Sequence, residues 1–222
     1  MDDELKNIDP DDINDLLIQI EKSFGIEFGD SELFYISTFG ELCDHIVGKI
    51  TYDSSNDCTS QQAFYKLRDA IVSTGQIDPK SISTNSSLMD LLPKERRRVQ
   101  IKKWEQRLGF ELNILRPPYW LSTTLVIILL ASFVGFSNSW QVGLAGLVFA
   151  IAGFWFANKI ANELDIQTVG QLVRKMTREN YLKSRRNPTT FNKNEIEKVL
   201  IDCFSNDLGI DKSKLTRESR FV

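Results

Sequence analysis

The hydrophobic pattern of the chain is dominated by one uncharged stretch, residues 117–158, which contains no Asp, Glu, Lys, Arg or His. Three polar residues at 137–139 divide it into two apolar segments, residues 119–136 and 140–158. At 1.5 Å per residue each segment would form a helix roughly 27 Å long, close to the hydrocarbon thickness of a bilayer. The pattern therefore predicts a membrane-spanning helical hairpin. The alternative, a hairpin buried in a soluble core, needs more surrounding apolar surface than a chain of 222 residues offers.

Two further features of this stretch suit a membrane hairpin. Trp120 and Trp140 stand at the N-terminal edges of the two segments, as expected for an aromatic belt at a membrane interface. The second segment also carries small residues at four-residue spacing, a pattern that lets two helices approach closely. These pairs, which we expect to face another helix, are Gly146 with Ala150 and Gly153 with Ala157.

Outside this stretch, apolar residues recur at the three- and four-residue spacing of amphipathic helices. Asp9 and Pro10 suit the start of the first helix, and Gly25 suits its end. A Ser-Thr pair at 37–38 and Glu41 suit a capping box at the start of the second. The predicted helices cover residues 12–24, a segment from 38 towards 50, and residues 61–73, 95–108, 168–176 and 195–205.

Basic residues flank the apolar stretch on both sides. Residues 94–116 carry eight cations against three acids, and residues 174–193 carry seven cations against one acid. The connecting turn is uncharged, so the positive-inside rule predicts that both arms and both termini are cytoplasmic. We expect the chain to cross a bacterial-type inner membrane twice and to contact membrane lipids. The residues expected to set this orientation are Arg96, Arg97, Arg98, Lys102, Lys103, Lys159, Arg174 and Lys175.

Charge is unevenly distributed along the chain. The formal net charge is −3, yet residues 1–57 hold 15 acidic side chains against Lys6, Lys22 and Lys49. Such a negative field repels nucleic acid and favours a basic protein partner. The acids expected to dock this partner lie on the first predicted helix or at its start: Asp9, Asp11, Asp12, Asp15 and Glu21.

The residue types that usually carry catalysis are sparse. Cys43, Cys58 and Cys203 show no CxxC spacing, and His45 is the sole histidine. We therefore expect no metal site and no disulfide framework, and we interpret the cysteines as core residues and His45 as a surface residue. The aspartate pairs have no neighbouring histidine, cysteine or glycine-rich phosphate loop. The sequence accordingly predicts no catalytic residue, no cofactor and no enzyme activity.

Residues 9–50 contain an acidic helix, a Phe-Gly-Ile-Glu turn at 24–27 and the segment Ile-Ser-Thr-Phe-Gly-Glu-Leu before the next helix. This order resembles the second half of an acyl carrier protein. In carriers an Asp-Ser-Leu triplet begins the acidic helix, and its serine bears phosphopantetheine. The aligned residues here are Asp9, Pro10 and Asp11. The resemblance thus implies a helical carrier-like bundle that lacks the attachment hydroxyl.

The matching first half lies at the other end of the chain. Residues 194–222 form a predicted amphipathic helix and a loop that resembles the carrier loop before the serine helix. We therefore expect an outer domain that is circularly permuted and assembled from both ends, with Met1 close to Val222. Closure between two chains, which would give a swapped homodimer, is the alternative.

An internal repeat indicates a second, inner copy of this unit. Residues 77–89 align without gaps on residues 210–222, and residues 166–172 align with residues 36–42. The apolar hairpin would then be an insertion before the last helix of the inner copy. Its attachment position falls at Pro93 or Lys94, neither of which has a hydroxyl. A generic helical bundle with chance repeats is the alternative.

The expected fold is all-α, with two small carrier-like bundles and a transmembrane helical hairpin. The expected function is a membrane-anchored, non-catalytic interaction module, and the resemblance implies docking to enzymes of acyl or lipid metabolism. Two alternatives stay open: a true carrier or enzyme accessory subunit modified at Ser219, Ser86 or another hydroxyl, and a helical membrane protein of unrelated function. The expected boundaries are 1–50 and 194–222 for the outer domain, 61–116 and 159–177 for the inner domain, 117–158 for the hairpin, and 51–60 and 178–193 for linkers.

Overall fold

The computed structural model describes residues 8–29, 31–75 and 77–221, without the side chain of Asn138. Within these ranges the strands are only two residues long and helices predominate, which confirms the all-α class. The helices are α1 (Pro10–Phe24), α2 (Phe39–Lys49), α3 (Thr59–Gly75), α4 (Leu88–Leu91), α5 (Arg97–Leu108), α6 (Tyr119–Asn138), α7 (Trp140–Ile160), α8 (Val169–Glu179), α9 (Tyr181–Ser184) and α10 (Lys193–Asp207). The strands are β1 (Asp53–Ser54), β2 (Leu115–Arg116), β3 (Glu163–Leu164) and β4 (Thr190–Phe191), and 3-10 helices cover Glu32–Tyr35, Pro79–Ser81 and Lys212–Lys214.

The helix ends follow the capping signals of the sequence. Asp9 is the N-cap of α1, and its side chain accepts the N–H of Asp11 at 3.0 Å. Gly25 ends α1 with φ of 62°, a left-handed conformation that glycine adopts without strain. Thr38 and Glu41 form the predicted capping box of α2. The short helices α4 and α9 were not predicted, because four residues show no periodicity.

The two ends of the described chain share one hydrophobic core, the outer core, formed by α1, α2, α9, α10 and the loops beside them. The rings of Phe39 on α2 and Phe204 on α10 meet edge to face, with 5.2 Å between their centroids. Helices α1 and α10 each bury one apolar stripe, so neither end has a core without the other. Met1 and Val222, which we expected to lie close together, are outside the described residues.

A second cluster, the inner core, is formed by α3, α4, α5, α8 and residues 110–114. Its largest fully buried side chain is Trp104, whose indole N–H donates to Thr74 Oγ1 at 2.9 Å. The inner core combines residues that precede the apolar hairpin, such as Leu112, with residues that follow it, such as Leu172. We call the elements around the two cores the outer unit and the inner unit.

Both segments predicted as linkers carry regular structure. Residues 178–193 include α9 and β4, and they place Tyr181 and Phe191 in the outer core. Strand β4 pairs in parallel with β1, which lies in residues 51–60. Arg185 is fully buried beside this pair, and its Nη1 donates to the carbonyl oxygen of Asp57 at 3.2 Å. This basic segment therefore joins the two units through buried contacts.

Helices α6 and α7 form a hairpin whose turn is tighter than predicted. Ser137 and Asn138 continue α6, so the turn consists of Ser139 alone. Both helices are long and apolar enough to cross a membrane. Only 11% of the apolar stretch of α6 and 17% of that of α7 is buried within the protein. The hairpin is therefore not surrounded by a soluble core.

The face of α7 that contacts α6 consists of small residues. Ala150 and Ala157 are buried on this face. A Cβ atom built at Gly146 would lie 2.8 Å from the Cβ atom of Ser132, and one at Gly153 would overlap the side chain of Leu125 on α6. A carbon–carbon distance of 2.8 Å is too short, so glycine is needed for this approach. The predicted packing of this face against another helix is confirmed.

The hairpin is joined to the inner unit at its base. Strands β2 and β3, which flank the hairpin, pair with each other in antiparallel fashion. Arg97, expected to contact lipid headgroups, is instead buried, with 6% of its surface exposed. Its Nε donates to the Leu92 carbonyl oxygen at 3.0 Å, and its Nη1 donates to the Asn162 carbonyl oxygen at 2.6 Å. These two carbonyl groups lie just beyond the last residues of α4 and α7, and one guanidinium with five N–H donors can satisfy both.

Candidate functional site

A loop of the inner unit, residues 77–87, closes onto the first turn of α8. The N–H groups of Val169 and Gly170 donate to the carbonyl oxygens of Ser86 and Thr84, at 3.0 and 2.7 Å. Helix α8 also begins with a capping box. The loop is thus fixed by donors that a helix start leaves unpaired.

The outer unit contains the same arrangement. Residues 210–220 close onto the first turn of α2, where the N–H groups of Phe39 and Gly40 donate to the carbonyl oxygens of Ser219 and Arg217, at 2.8 and 2.9 Å. Helix α2, like α8, begins with a capping box. The bonded residues are those that align in the two sequence repeats. We call these two loops the twin loops.

Each twin loop touches its helix at a glycine. A Cβ atom built at Gly40 would lie 2.8 Å from the carbonyl oxygen of Arg217, and one at Gly170 would lie 2.9 Å from that of Thr84. Real Cβ atoms do not approach an oxygen this closely. Each repeat therefore needs glycine because the loop leaves no room for a Cβ atom, and not because the backbone has a positive φ.

The hydroxyls considered for a prosthetic group serve the twin loops themselves. Ser219 Oγ donates to the carbonyl oxygen of Lys214 at 2.8 Å and accepts the N–H of Thr216 at 3.0 Å. Ser86 Oγ accepts the N–H of Ser83 at 2.9 Å. These hydroxyls hold turns in place, and an attached group would disrupt the turns.

Pro10, Pro93 and Lys94, which the carrier resemblance pairs with the attachment serine, lie at a helix start and in an exposed connection. Pro10 follows the N-cap Asp9 at the first position of α1, where its fixed φ suits a helix start. Pro93 and Lys94 lie exposed between α4 and α5. Proline has no hydroxyl and lysine has an amine, so neither position offers the oxygen of a phosphodiester link.

Most of the predicted docking acids face solvent at the start of α1. Glu21 is the exception, because its carboxylate accepts the N–H of Phe28 at 2.5 Å and closes the loop that follows α1. The remaining acids are exposed; Asp9 caps α1, and Asp11 and Asp12 lie in its first turn, at the positive end of the helix dipole, which stabilises negative charge. These exposed acids, the aspartate face, are Asp9, Asp11, Asp12 and Asp15.

Sequence reasoning missed an exposed aromatic pair in the outer unit. Phe34 and Tyr35 are 85% and 88% exposed, whereas their neighbours Leu33 and Ile36 pack against the outer core. Ile18, which follows the aspartate face on α1, is also exposed. Exposed aromatic and aliphatic side chains commonly anchor protein partners. A continuous apolar run at 33–36 gave no sign of which residues would point outward.

Six of the eight predicted orientation cations are exposed. Besides the buried Arg97, Lys175 is half-buried, with its Nζ 2.9 Å from the carboxylate of Glu179. Lys159 Nζ lies 4.8 Å from the ring centroid of Trp155, near the end of α7. Cations beside aromatic rings are typical of membrane interfaces. The six exposed cations are Arg96, Arg98, Lys102, Lys103, Lys159 and Arg174.

The cysteines differ in environment. Cys43 and Cys203 are buried in the outer core, as predicted, whereas Cys58 is exposed just before α3. Burial raises the pKa of the Cys43 thiol to about 12, with Glu197 adding a smaller effect. Burial also raises the pKa of the Cys203 thiol. Cys58 is thus the accessible thiol among the three.

His45 is half-buried and lies 3.2 Å from the carboxylate of Glu32. Glu32 also accepts a hydrogen bond from Lys49. This contact, together with smaller effects of the Gly29 backbone and His45, lowers the pKa of Glu32 to about 2. In the described part of the chain, no group of three or more His, Cys, Asp or Glu side chains could hold a metal ion. No family model, curated protein or solved structure matches this chain.

Proposed function

We propose that this chain is a membrane-anchored, non-catalytic interaction module, in which two carrier-like helical units sit at the cytoplasmic face of a bacterial inner membrane. The aspartate face of α1 docks a basic protein partner. The resemblance to carriers favours an enzyme of acyl or lipid metabolism as that partner. The observation that carries this proposal is an exposed acidic helix with Pro10 at its first position, which offers a docking surface without an attachment hydroxyl.

The twin loops support a duplicated unit. At α2 and α8 the twin loops use equivalent donors, equivalent acceptors and a contact glycine, and these residues occupy matching positions of the two sequence repeats, which favours a duplication. The outer core, built from both ends of the chain, supports the circular permutation. Under this interpretation the carrier-like bundle supplies a rigid platform for α1.

The exposed hairpin supports the membrane anchor. Large apolar side chains cover the outer faces of α6 and α7, and a surface of this size is unfavourable in water. Exposed cations lie on the soluble arms on both sides of the hairpin, and its Ser139 turn has no charge. By the positive-inside rule, this distribution favours cytoplasmic soluble units.

Site-specific photo-crosslinking of the full chain in native membranes tests the docking role. A photoreactive residue in place of Ile18, beside the aspartate face, should give a discrete adduct with a basic protein. Asp11→Asn combined with Asp15→Asn should remove this adduct, and added salt should weaken it because salt screens exposed charges. The same photoreactive residue at the exposed Lys80 of the inner unit is the control. An equal adduct at both positions, or none at Ile18, refutes the docking role.

Two smaller experiments test the remaining parts of the proposal. Incubation with coenzyme A and a phosphopantetheinyl transferase should leave the intact mass unchanged, and a gain of one phosphopantetheine would identify a true carrier. Cys58 reports topology, since it is exposed while the other two thiols are buried. A membrane-impermeant maleimide should label Cys58 in inside-out vesicles and not in intact spheroplasts. Labelling in intact spheroplasts would place the soluble units outside.

A further inference from the structure

A groove of about 440 Å³ lies where α7 ends and the inner unit begins. One wall is the face of α5 that carries Arg98 and Lys102. The lining also includes Asn158 from the last turn of α7 and Ala161 just after it. The groove therefore lies between a basic helix and the base of the apolar hairpin.

The groove has an excess of positive charge. Arg98 and Lys102 are exposed, and neither forms an ion pair with any described residue. They are four residues apart on α5, which separates them by about 6 Å along the helix axis. Glu105 also lines the groove, and its carboxylate accepts the N–H of Leu112 at 2.8 Å, so the lining holds two cations against one acid. The two cations are thus available to an anion from outside.

Amide and apolar groups complete the groove. Asn113 has a φ of 48°, a left-handed conformation that asparagine tolerates better than most residues. This turn lets Leu112 and Ile114 on either side of it be buried, while Asn113 lines the groove together with Asn158. Val99, also in the lining, is 61% exposed. The groove therefore combines cations, amides and an exposed apolar side chain.

We infer that this groove binds the phosphate of an anionic phospholipid, with Arg98 and Lys102 as its ligands. This inference rests on the proposed insertion of α6 and α7, which would bring Asn158 to the depth of the headgroups. Trp155 and Ile151 precede Asn158 by three and seven residues, so they share its face of α7, and both are exposed. They offer an apolar surface along which acyl chains lie.

The charge of the groove selects against a zwitterionic lipid. The lining holds two cations, Arg98 and Lys102, against one acid, Glu105, so it attracts a lipid of net negative charge more strongly than a zwitterionic phosphatidylcholine or phosphatidylethanolamine. A headgroup with a single negative charge and hydroxyls, such as phosphatidylglycerol, fits two cations and the amides of Asn113 and Asn158. The groove thus recognises the phosphate by charge and the rest of the headgroup by neutral hydrogen bonds.

Native mass spectrometry of the full chain, released from detergent with phosphatidylglycerol or phosphatidylcholine added, tests the inference. The wild type should retain phosphatidylglycerol in preference to phosphatidylcholine. Arg98→Gln with Lys102→Gln should weaken phosphatidylglycerol binding about 25-fold, because each cation near an anionic lipid surface contributes roughly fivefold. The matched control is Arg96→Gln with Lys103→Gln, which removes the same charge. Arg96 precedes α5 and Lys103 lies on it, and both are exposed and lie outside the groove lining.

The outcomes separate the groove from the membrane anchor. Loss of binding in the groove variant but not in the control supports the inference. An equal loss in both variants indicates a diffuse electrostatic attraction and overturns it, as does a wild type without lipid preference. Carbonate extraction of membranes tests insertion independently: a wild-type chain released by carbonate refutes the proposed anchor and the inference together. If carbonate releases neither the wild-type nor the variant chains, membrane insertion is supported, and the measured lipid preference then tests the groove alone.

Discussion

Substitution of Gly40 by alanine tests whether the C-terminal loop holds the outer unit together. Gly40 lies in the first turn of α2, and a Cβ atom there would meet the Arg217 carbonyl oxygen at 2.8 Å and the Arg217 Cβ at 2.9 Å. The obstacle is backbone, which cannot rotate away like the end of a flexible side chain. Gly40→Ala should therefore push the loop off α2. Gly48→Ala is the matched control, because no atom lies within 4 Å of a Cβ built at Gly48 in the same helix.

The expected loss follows from the contacts involved. Overpacking costs about 1–3 kcal/mol in well-packed sites. The two loop hydrogen bonds, Phe39 N–H to Ser219 and Gly40 N–H to Arg217, are 2.8 and 2.9 Å long. Each contributes about 1 kcal/mol when intact, and partial loss of both is expected. A total of about 2–3 kcal/mol would raise the population of the open outer unit about 30- to 150-fold at 1.4 kcal/mol per tenfold. Gly48→Ala should instead stabilise α2 by up to about 1 kcal/mol.

Thiol labelling followed by intact mass measures this opening. Cys43 and Cys203 are buried in the outer core, so they should react only when the outer unit opens. Cys58 is exposed and serves as an internal standard of reagent activity. Labelling of the two buried thiols should accelerate about 30- to 150-fold in Gly40→Ala, in line with the opening equilibrium. A wild-type labelling rate in Gly40→Ala, or equal acceleration in Gly48→Ala, would refute the reasoning.

Three further predictions concern other parts of the fold. Gly153→Leu should destabilise the hairpin by roughly 1–3 kcal/mol, because the new side chain would overlap Leu125. Ala152 is exposed, so Ala152→Leu should leave the hairpin stability unchanged. Tryptophan fluorescence during unfolding in detergent measures the stability of both variants. Deletion of residues 194–222 should unfold α1 and α2 and expose Cys43 to labelling while the hairpin stays inserted, and a protected Cys43 would contradict the shared core. The Lys49 contact, with smaller effects of the Gly29 backbone and His45, lowers the pKa of Glu32 from 4.5 to about 2. The stability gained from the ionised carboxylate is therefore present above pH 4.5 and is lost as pH falls towards 2. Titration of the Glu32 carboxyl by NMR should show this, and a midpoint near 4.5 would show that the contact does not form.

The elements that depend on neighbours in sequence could be predicted from the sequence. The caps at Asp9, Gly25 and Thr38 involve atoms within a few residues, and their side-chain chemistry alone favours those helix ends. The apolarity and approximate length of α6 and α7 follow from the uncharged run, although the turn between them is shorter than predicted. The exposed start of α1 could be predicted as well, because four aspartates have no apolar surface to bury.

Contacts between distant parts of the chain were decided by the tertiary structure. Arg97 and Arg185 look like surface cations in sequence, yet both are buried where carbonyl groups of distant segments converge. Which residues of 33–36 face outward depends on how one 3-10 turn meets the outer core. The groove beside α5 likewise needs the end of α7 to complete its lining. Hydrophobic periodicity and capping depend on residues that are close in sequence. The burial of a cation and the formation of a groove depend on which distant segments of the chain pack beside it.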